Sequence, residues 1–343
     1  MSDFTTLPDL ALRTNRAGVI AASDESFEER ENLINPWEPR FAEHTFGPKG
    51  QEYDGWETRR HRGPGHDWAL IRLGMPGVIR GVVIDTAWFK GNYPPFASVQ
   101  ACRAPGYPAP AHLDSADWVE IVPRSALGGD AKNEFPVSDA RIFTHVRLNI
   151  YPDGGVARLR VHGEVVPDPA LLTGLTVDLA ALENGARTVG CSNMFYSAPD
   201  NMLAPGLARN QADGWETARR RGDGNDWATI RLACQGTPEL IEIDTTHLLF
   251  NAPGQARVLG IDHGDARPLP PVGDPAWFEL LPETPLRPDT PHRFRLGRSA
   301  IRQATHIHLD IYPDGGVARL RVRGALTAEG EARLRVRWAE GVE

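Results

Sequence analysis

The stretch DGWETRRHRGPGHDWALIRL (54–73) occurs a second time as DGWETARRRGDGNDWATIRL (213–232), identical at 15 of 20 positions. Working outward, IDTAWFKGNYP (84–94) returns as IDTTHLLFNAP (243–253), and WVEIVP (118–123) as WFELLP (277–282). THVRLNIYPDGGVARLRVHG (144–163) returns as THIHLDIYPDGGVARLRVRG (305–324), with twelve consecutive identities. The offset is 159 residues for the first three blocks and 161 for the last. Solenoid units run about 20–50 residues, so this period describes one whole domain, duplicated. The division is expected at 1–168 and 169–343, in the Pro- and Gly-bearing stretch VPDPALLTG (166–174).

Within each copy the hydrophobic period is two. Val146, Leu148 and Ile150 alternate with His145, Arg147 and Asn149, and Leu159 and Val161 with Arg158 and Arg160. That pattern predicts half-buried antiparallel strands. PDGG (152–155) reads as a tight turn between two of them, with Pro fixing φ, Asp bonding its own backbone and Gly accepting φ > 0. Helix is expected only in short pieces near 7–15, 24–34 and 176–185. The tail 327–343 lies outside the repeat, and the alternation in ARLRVRW suggests an added edge strand. Many short strands with Gly and Pro turns indicate an all-β chain of two tandem jelly-roll β-sandwiches.

Composition narrows the function. A net charge of −8 and a pI of about 5.8 disfavour non-specific nucleic-acid binding. No apolar run approaches the ~20 residues of a membrane span, and the opening MSDFTTLPDLALRTNRAG lacks a signal-peptide core. Three cysteines, Cys102, Cys191 and Cys234, form no CxxC pair and are odd in number. A disulfide framework or zinc cluster is therefore not expected, and a reducing cytoplasm is.

The residues that could carry chemistry crowd into the repeated block. Asp54, Glu57, Arg60 and Arg62 run into a Gly-rich turn that ends in Asp67 and Trp68, and Arg72 lies on the strand after it, Ala69–Leu73. Loops on a rigid sandwich commonly hold sites, yet Trp56 and Trp68 as core plugs and Arg–Asp pairs at a structural corner fit the same pattern. His61 and His66, with Asp67, have residue types that suit zinc or manganese, but their spacing matches no strong motif and no metal is assigned. Arg158 and Arg160 fall at i and i+2 of one strand, a basic stripe able to grip a carboxylate or to pair on an outer face. The loop FKGNYPP (89–95) adds Lys90, Asn92 and Tyr93. GxSxG, HExxH, P-loop and GxGxxG signatures are absent.

The blocks DGWETRRHRGPGHDWALIRLG and FKGNYP, each with a downstream version, and the opening AASDESFEERENLINP resemble the allantoicase family over essentially the whole chain. The resemblance implies two galactose-binding-like jelly rolls in a homo-oligomer. It implies hydrolysis of allantoate to ureidoglycolate and urea in purine degradation. That family stands apart from the binuclear-manganese ureohydrolases, whose Asp/His motifs are missing here, and no cofactor is expected. Allantoate carries a carboxylate and two ureido groups on one carbon. Its carboxylate calls for an arginine fork, with Arg60, Arg62, Arg72 and Arg158 as candidates and Lys90 beside them. Departing urea needs a proton from a carboxylic acid of raised pKa, and water needs a second carboxylate or a metal. Glu57 is the expected proton shuttle, Asp67 or Asp85 the second carboxylate, Arg60 the anchor, and Asn92 a donor to a ureido carbonyl. A binding module using Trp88 and Tyr93, or a ureidoglycolate-processing enzyme, would use the same fold differently.

Overall fold

The computed structural model describes residues 4–42, 44–264 and 268–340. Two compact units divide the chain, the first running to Val166 and the second spanning Pro167–Ala339. Each unit is a jelly-roll sandwich of antiparallel strands.

The organising element of the first unit is the 19-residue strand Asp67–Asp85. Its first half pairs with Gly18–Ala22 and Ile142–Tyr151, its second half with Arg158–Val165 and Lys132–Pro136. The change of partners falls at Leu73–Pro76, where four residues oppose the single Thr144. A bulge of this kind bends a strand sharply, so one strand serves both sheets. Gly74 makes the bend possible. A Cβ there would sit 1.9 Å from the Asn15 carbonyl oxygen. Phe96–Cys102 and Val119–Ala126 extend the first sheet. Ile71, Ile84, Leu148, Leu159 and Val161 fill the interior with no exposed surface, each contributing about 1.5–3 kcal/mol of burial.

The second unit repeats the plan. Asp226–Asp244 is its 19-residue strand, and Leu232–Gln235 bulge opposite Thr305. Both Tyr–Pro bonds before the PDGG turns, Tyr151–Pro152 and Tyr312–Pro313, are cis.

Three local expectations are corrected. The segments near 7–15 and 24–34 hold the 3-10 turns Arg13–Asn15 and Arg30–Ile34, and 176–185 holds the strand Thr176–Asp178 and the 3-10 turn Leu182–Asn184. In two of them a strand edge captures the backbone, through Leu10 N–H to Val161 O (2.7 Å) and Leu179 N–H to Val322 O (2.7 Å). The tail forms the α-helix Ala328–Glu340 instead of a strand. Thr327 caps it, its Oγ1 accepting the Gly330 N–H at 3.0 Å. In the PDGG turn, the Asp153 carboxylate accepts the N–H of His61 at 2.6 Å rather than its own backbone, tying the turn to the RGPG loop.

Candidate functional site

Because the long strand doubles back, Asp67 and Asp85 both reach the turn after Tyr151. Asp67 N–H donates to Pro152 O at 3.2 Å, and Ala157 N–H donates to Asp85 O at 2.8 Å. The DGWET segment joins them, as Trp56–Glu57 pairs with Gly155–Val156. The loop carrying Asn92 closes the cluster, its carbonyl accepting the Gly155 N–H at 2.8 Å. The convergence depends on Gly154 (φ +140°), where a Cβ would approach Asn92 O to 2.7 Å.

Most of the repeated motif builds this frame. Trp56 is fully buried and its Nε1 donates to Asp24 O at 2.8 Å, as Trp215 does to Asn193 O. Asp67 is buried, accepting Ser23 Oγ at 2.7 Å and lying 3.1 Å from His61 Nε2. Its counterpart Asp226 accepts Ser192 Oγ and Arg220 in the same places. Asp85 is buried and accepts the Ala87 N–H at 2.8 Å, an arrangement repeated by Asp244 and Thr246. Burial raises the Asp85 pKa; the Ala87 N–H opposes that.

Arg158 departs from the expected open basic stripe. It is 1% exposed and its guanidinium is enclosed by chain. Nε donates to Trp37 O (3.1 Å), Nη1 to Asp54 O (2.8 Å) and Ala157 O (2.7 Å), and Nη2 to Asp54 Oδ1 (2.7 Å). Arg319 does the same work in the second repeat, donating to Asp213 O and Ala318 O at 2.7 Å each. Arg72 stands mid-strand opposite Gly18 and His145, its Nη2 bonded to Arg16 O at 2.8 Å, away from the loops. Arg60, Arg62 and Lys90 are exposed on the loop side. The His66 ring lies against Tyr151, centroids 4.8 Å apart and tilted by 33°. Among the described residues no group of three His, Cys, Asp or Glu is placed to hold a metal ion.

Glu57 stands out from its motif neighbours. It is half-buried and its Oε1 accepts Asn92 Nδ2 at 2.7 Å. Burial pushes its carboxyl above the ordinary range; the Asn92 N–H opposes that, and the Glu28 charge adds to it. Asn92, expected as a donor to a ureido carbonyl, here donates to Glu57. Glu28 is the residue that sequence reasoning missed. Its backbone bridges to Glu57, and burial likewise raises its pKa, against the Tyr53 N–H that its Oε1 accepts at 2.9 Å. It sits in the quoted run DESFEERENLI, and the second copy has Ser197 at the same bridge.

The second copy keeps the glutamate and loses the setting. Asn251 Nδ2 again bonds the acid, here Glu216. The positions of Lys90 and Gly91 become Leu249 and Phe250, the latter 99% exposed. A separate open cavity of about 520 Å³ in that repeat is lined by Arg187, Arg231, His263 and His306, beside the bulge and on a different part of the strand from Asp226. Its described lining residues include no carboxylate.

Fold and site together define a duplicated jelly-roll protein whose first copy presents a pair of half-buried acids on polar loops. The family model "Allantoicase repeat" matches residues 8–166 and again 177–327. The chain is 54% identical to the probable allantoicase of Nocardia farcinica over 325 residues, covering 94% of this chain and 95% of that one. It is 50% identical to the probable allantoicase of Streptomyces avermitilis, over 98% and 90% of the two chains. The crystal structure of Saccharomyces cerevisiae allantoicase is similar, with a TM-score of 0.77 and 35% identity over 93% of both chains. The chain belongs to the allantoicase family.

Proposed function

We propose that this chain, a hydrolase of the allantoicase family, cleaves allantoate to ureidoglycolate and urea at the loop end of its first repeat. The observation that carries the placement is the Glu57–Asn92 pair beside Glu28, with both carboxyls raised chiefly by burial.

Burial, with the Glu28 charge added to it, favours the protonated form of Glu57. Protonated Glu57 gives its proton to the ureido nitrogen as the carbon–nitrogen bond breaks. Ionised Glu28 takes a proton from the water whose oxygen bonds to the central carbon. Asn92 holds Glu57 in place, and the exposed Arg60 supplies a fork for the substrate carboxylate. Glu28 replaces Asp67 and Asp85 in the second-carboxylate role, because those two are buried and bound into the frame. Arg158 is enclosed and drops from the binding set.

The test is urea release by purified protein, with and without a chelator. Glu57→Gln should lower kcat by about 10²–10⁴ with the fold intact, and turnover should survive the chelator. A folded variant within a few-fold of wild type would sink the assignment. Activity lost to the chelator and restored by a divalent ion would instead promote His61, His66 and Asp67. Homo-oligomerisation and a cytoplasmic setting complete the proposal. The free Cys102, Cys191 and Cys234 support a reducing compartment, and light scattering would read the subunit number.

A further inference from the structure

In the second repeat, Gln211 Nε2 donates to both oxygens of Glu216, at 2.8 Å each. With Asn251 also bonded to that carboxylate, Glu216 is saturated by side-chain amides and only 9% exposed. In the first repeat, Glu57 receives Asn92 alone, and no described residue donates to its second oxygen. The position matching Gln211 by the 159-residue offset is Glu52, an acid that cannot make this contact.

We infer that the second repeat retains a latent site for a ureido or carboxamide group, occupied by the chain's own Gln211. The reasoning is the shared partner. A carboxyl at this position meets a ureido or amide nitrogen either way: Glu57 gives it a proton in the reading above, and Glu216 accepts the N–H of a primary amide. Gln211 therefore stands where a ureido nitrogen would stand. The plug is tethered five residues from Glu216, so it competes at an effective concentration in the millimolar range or above. A free ureido compound at lower concentration is excluded, and the duplicated chain binds substrate in one repeat only. Identifying the ligand class rests on the reading of Glu57 above, while the plug rests on the Gln211–Glu216 geometry alone.

The probe is hydantoate, which carries one carboxylate and one ureido group, and the readout is sites per chain by equilibrium dialysis. Wild type should bind one. Gln211→Ala, at an exposed side chain whose loss leaves the core untouched, should bind two, with the new site at least tenfold tighter than any residual wild-type binding there. Gln211→Ala with Glu216→Gln should return to one. A Gln211→Ala protein with no more sites than wild type overturns the inference. Adding Glu57→Gln to Gln211→Ala separates the two readings. Loss of one site supports both. Retention of two sites, still sensitive to Glu216→Gln, refutes the Glu57 placement and leaves the plug standing.

Discussion

Replacing Arg158 with Met separates a frame residue from a substrate-binding one. The substitution keeps the aliphatic stem and removes four donors: those to Trp37 O, Asp54 O, Ala157 O and the Asp54 carboxylate. Breaking a buried ion pair from one side costs about 3–5 kcal/mol. The lower end applies, because the Asp54 side chain is 20% exposed and water can reach part of it. For a unit of this size about 3 kcal/mol corresponds to a drop in Tm of about 6–12 °C. Arg158→Lys keeps the charge but not the fork, and should lose about half as much. Calorimetry reads the stability and urea release reads KM on the folded fraction. The expected result is a large fall in Tm with KM within a few-fold of wild type. A Tm within 2 °C of wild type and a tenfold higher KM would return Arg158 to the substrate site and refute the reasoning.

Arg60→Ala should behave in the opposite way: an exposed guanidinium contributes little to folding, but losing a charge-assisted fork of about 1.5–3 kcal/mol should raise KM by ten- to a hundredfold with Tm unchanged. Asn92→Ala removes the bond that opposes the raised Glu57 pKa; kcat should fall about tenfold for a loss of about 1.4 kcal/mol, and the basic limb of the pH–rate profile should move to higher pH. Glu28→Gln tests linkage. A carboxyl whose folded pKa lies above its unfolded one stabilises the fold when protonated, and that stability is lost as pH rises through the folded value. Wild type should therefore lose stability relative to Glu28→Gln on passing upward from the ordinary carboxyl range, measured by urea denaturation across pH.

The duplication, the jelly rolls and their turns were legible because whole blocks recur and period two is a strong signal. The site was legible only in part, for physical reasons. A strand arginine at i and i+2 looks the same whether it faces water or a ring of carbonyls, so Arg158 read as a substrate fork. Asp67 and Asp85 are buried acids by structure, yet in sequence they are motif acids like Glu57. Glu28 was hidden among the four glutamates of a segment, 24–34, that reads as a short helix. The tail was misread because ARLRVRW alternates, while Thr327 as a cap and the Ala, Glu and Arg content argue for helix.

The two copies act as an internal control on these assignments. Trp56 and Trp215, Asp67 and Asp226, Asp85 and Asp244, and Arg158 and Arg319 make equivalent contacts in both repeats. Identity between copies therefore marks what the sandwich needs to fold. The copies part at Glu28 against Ser197, Glu52 against Gln211 and Lys90 against Leu249, which is where the proposed chemistry is placed. Glu57 and Glu216 are identical in residue and different in surroundings, one with an oxygen that no described residue bonds and one bonded by two side-chain amides. A carboxylate as buried as Glu216 needs partners to offset its desolvation. Gln211 and Asn251 supply that compensation in the second repeat. In the first, Glu57 takes one side-chain amide and its other oxygen accepts from no described residue, which is the arrangement the proposed proton transfer uses.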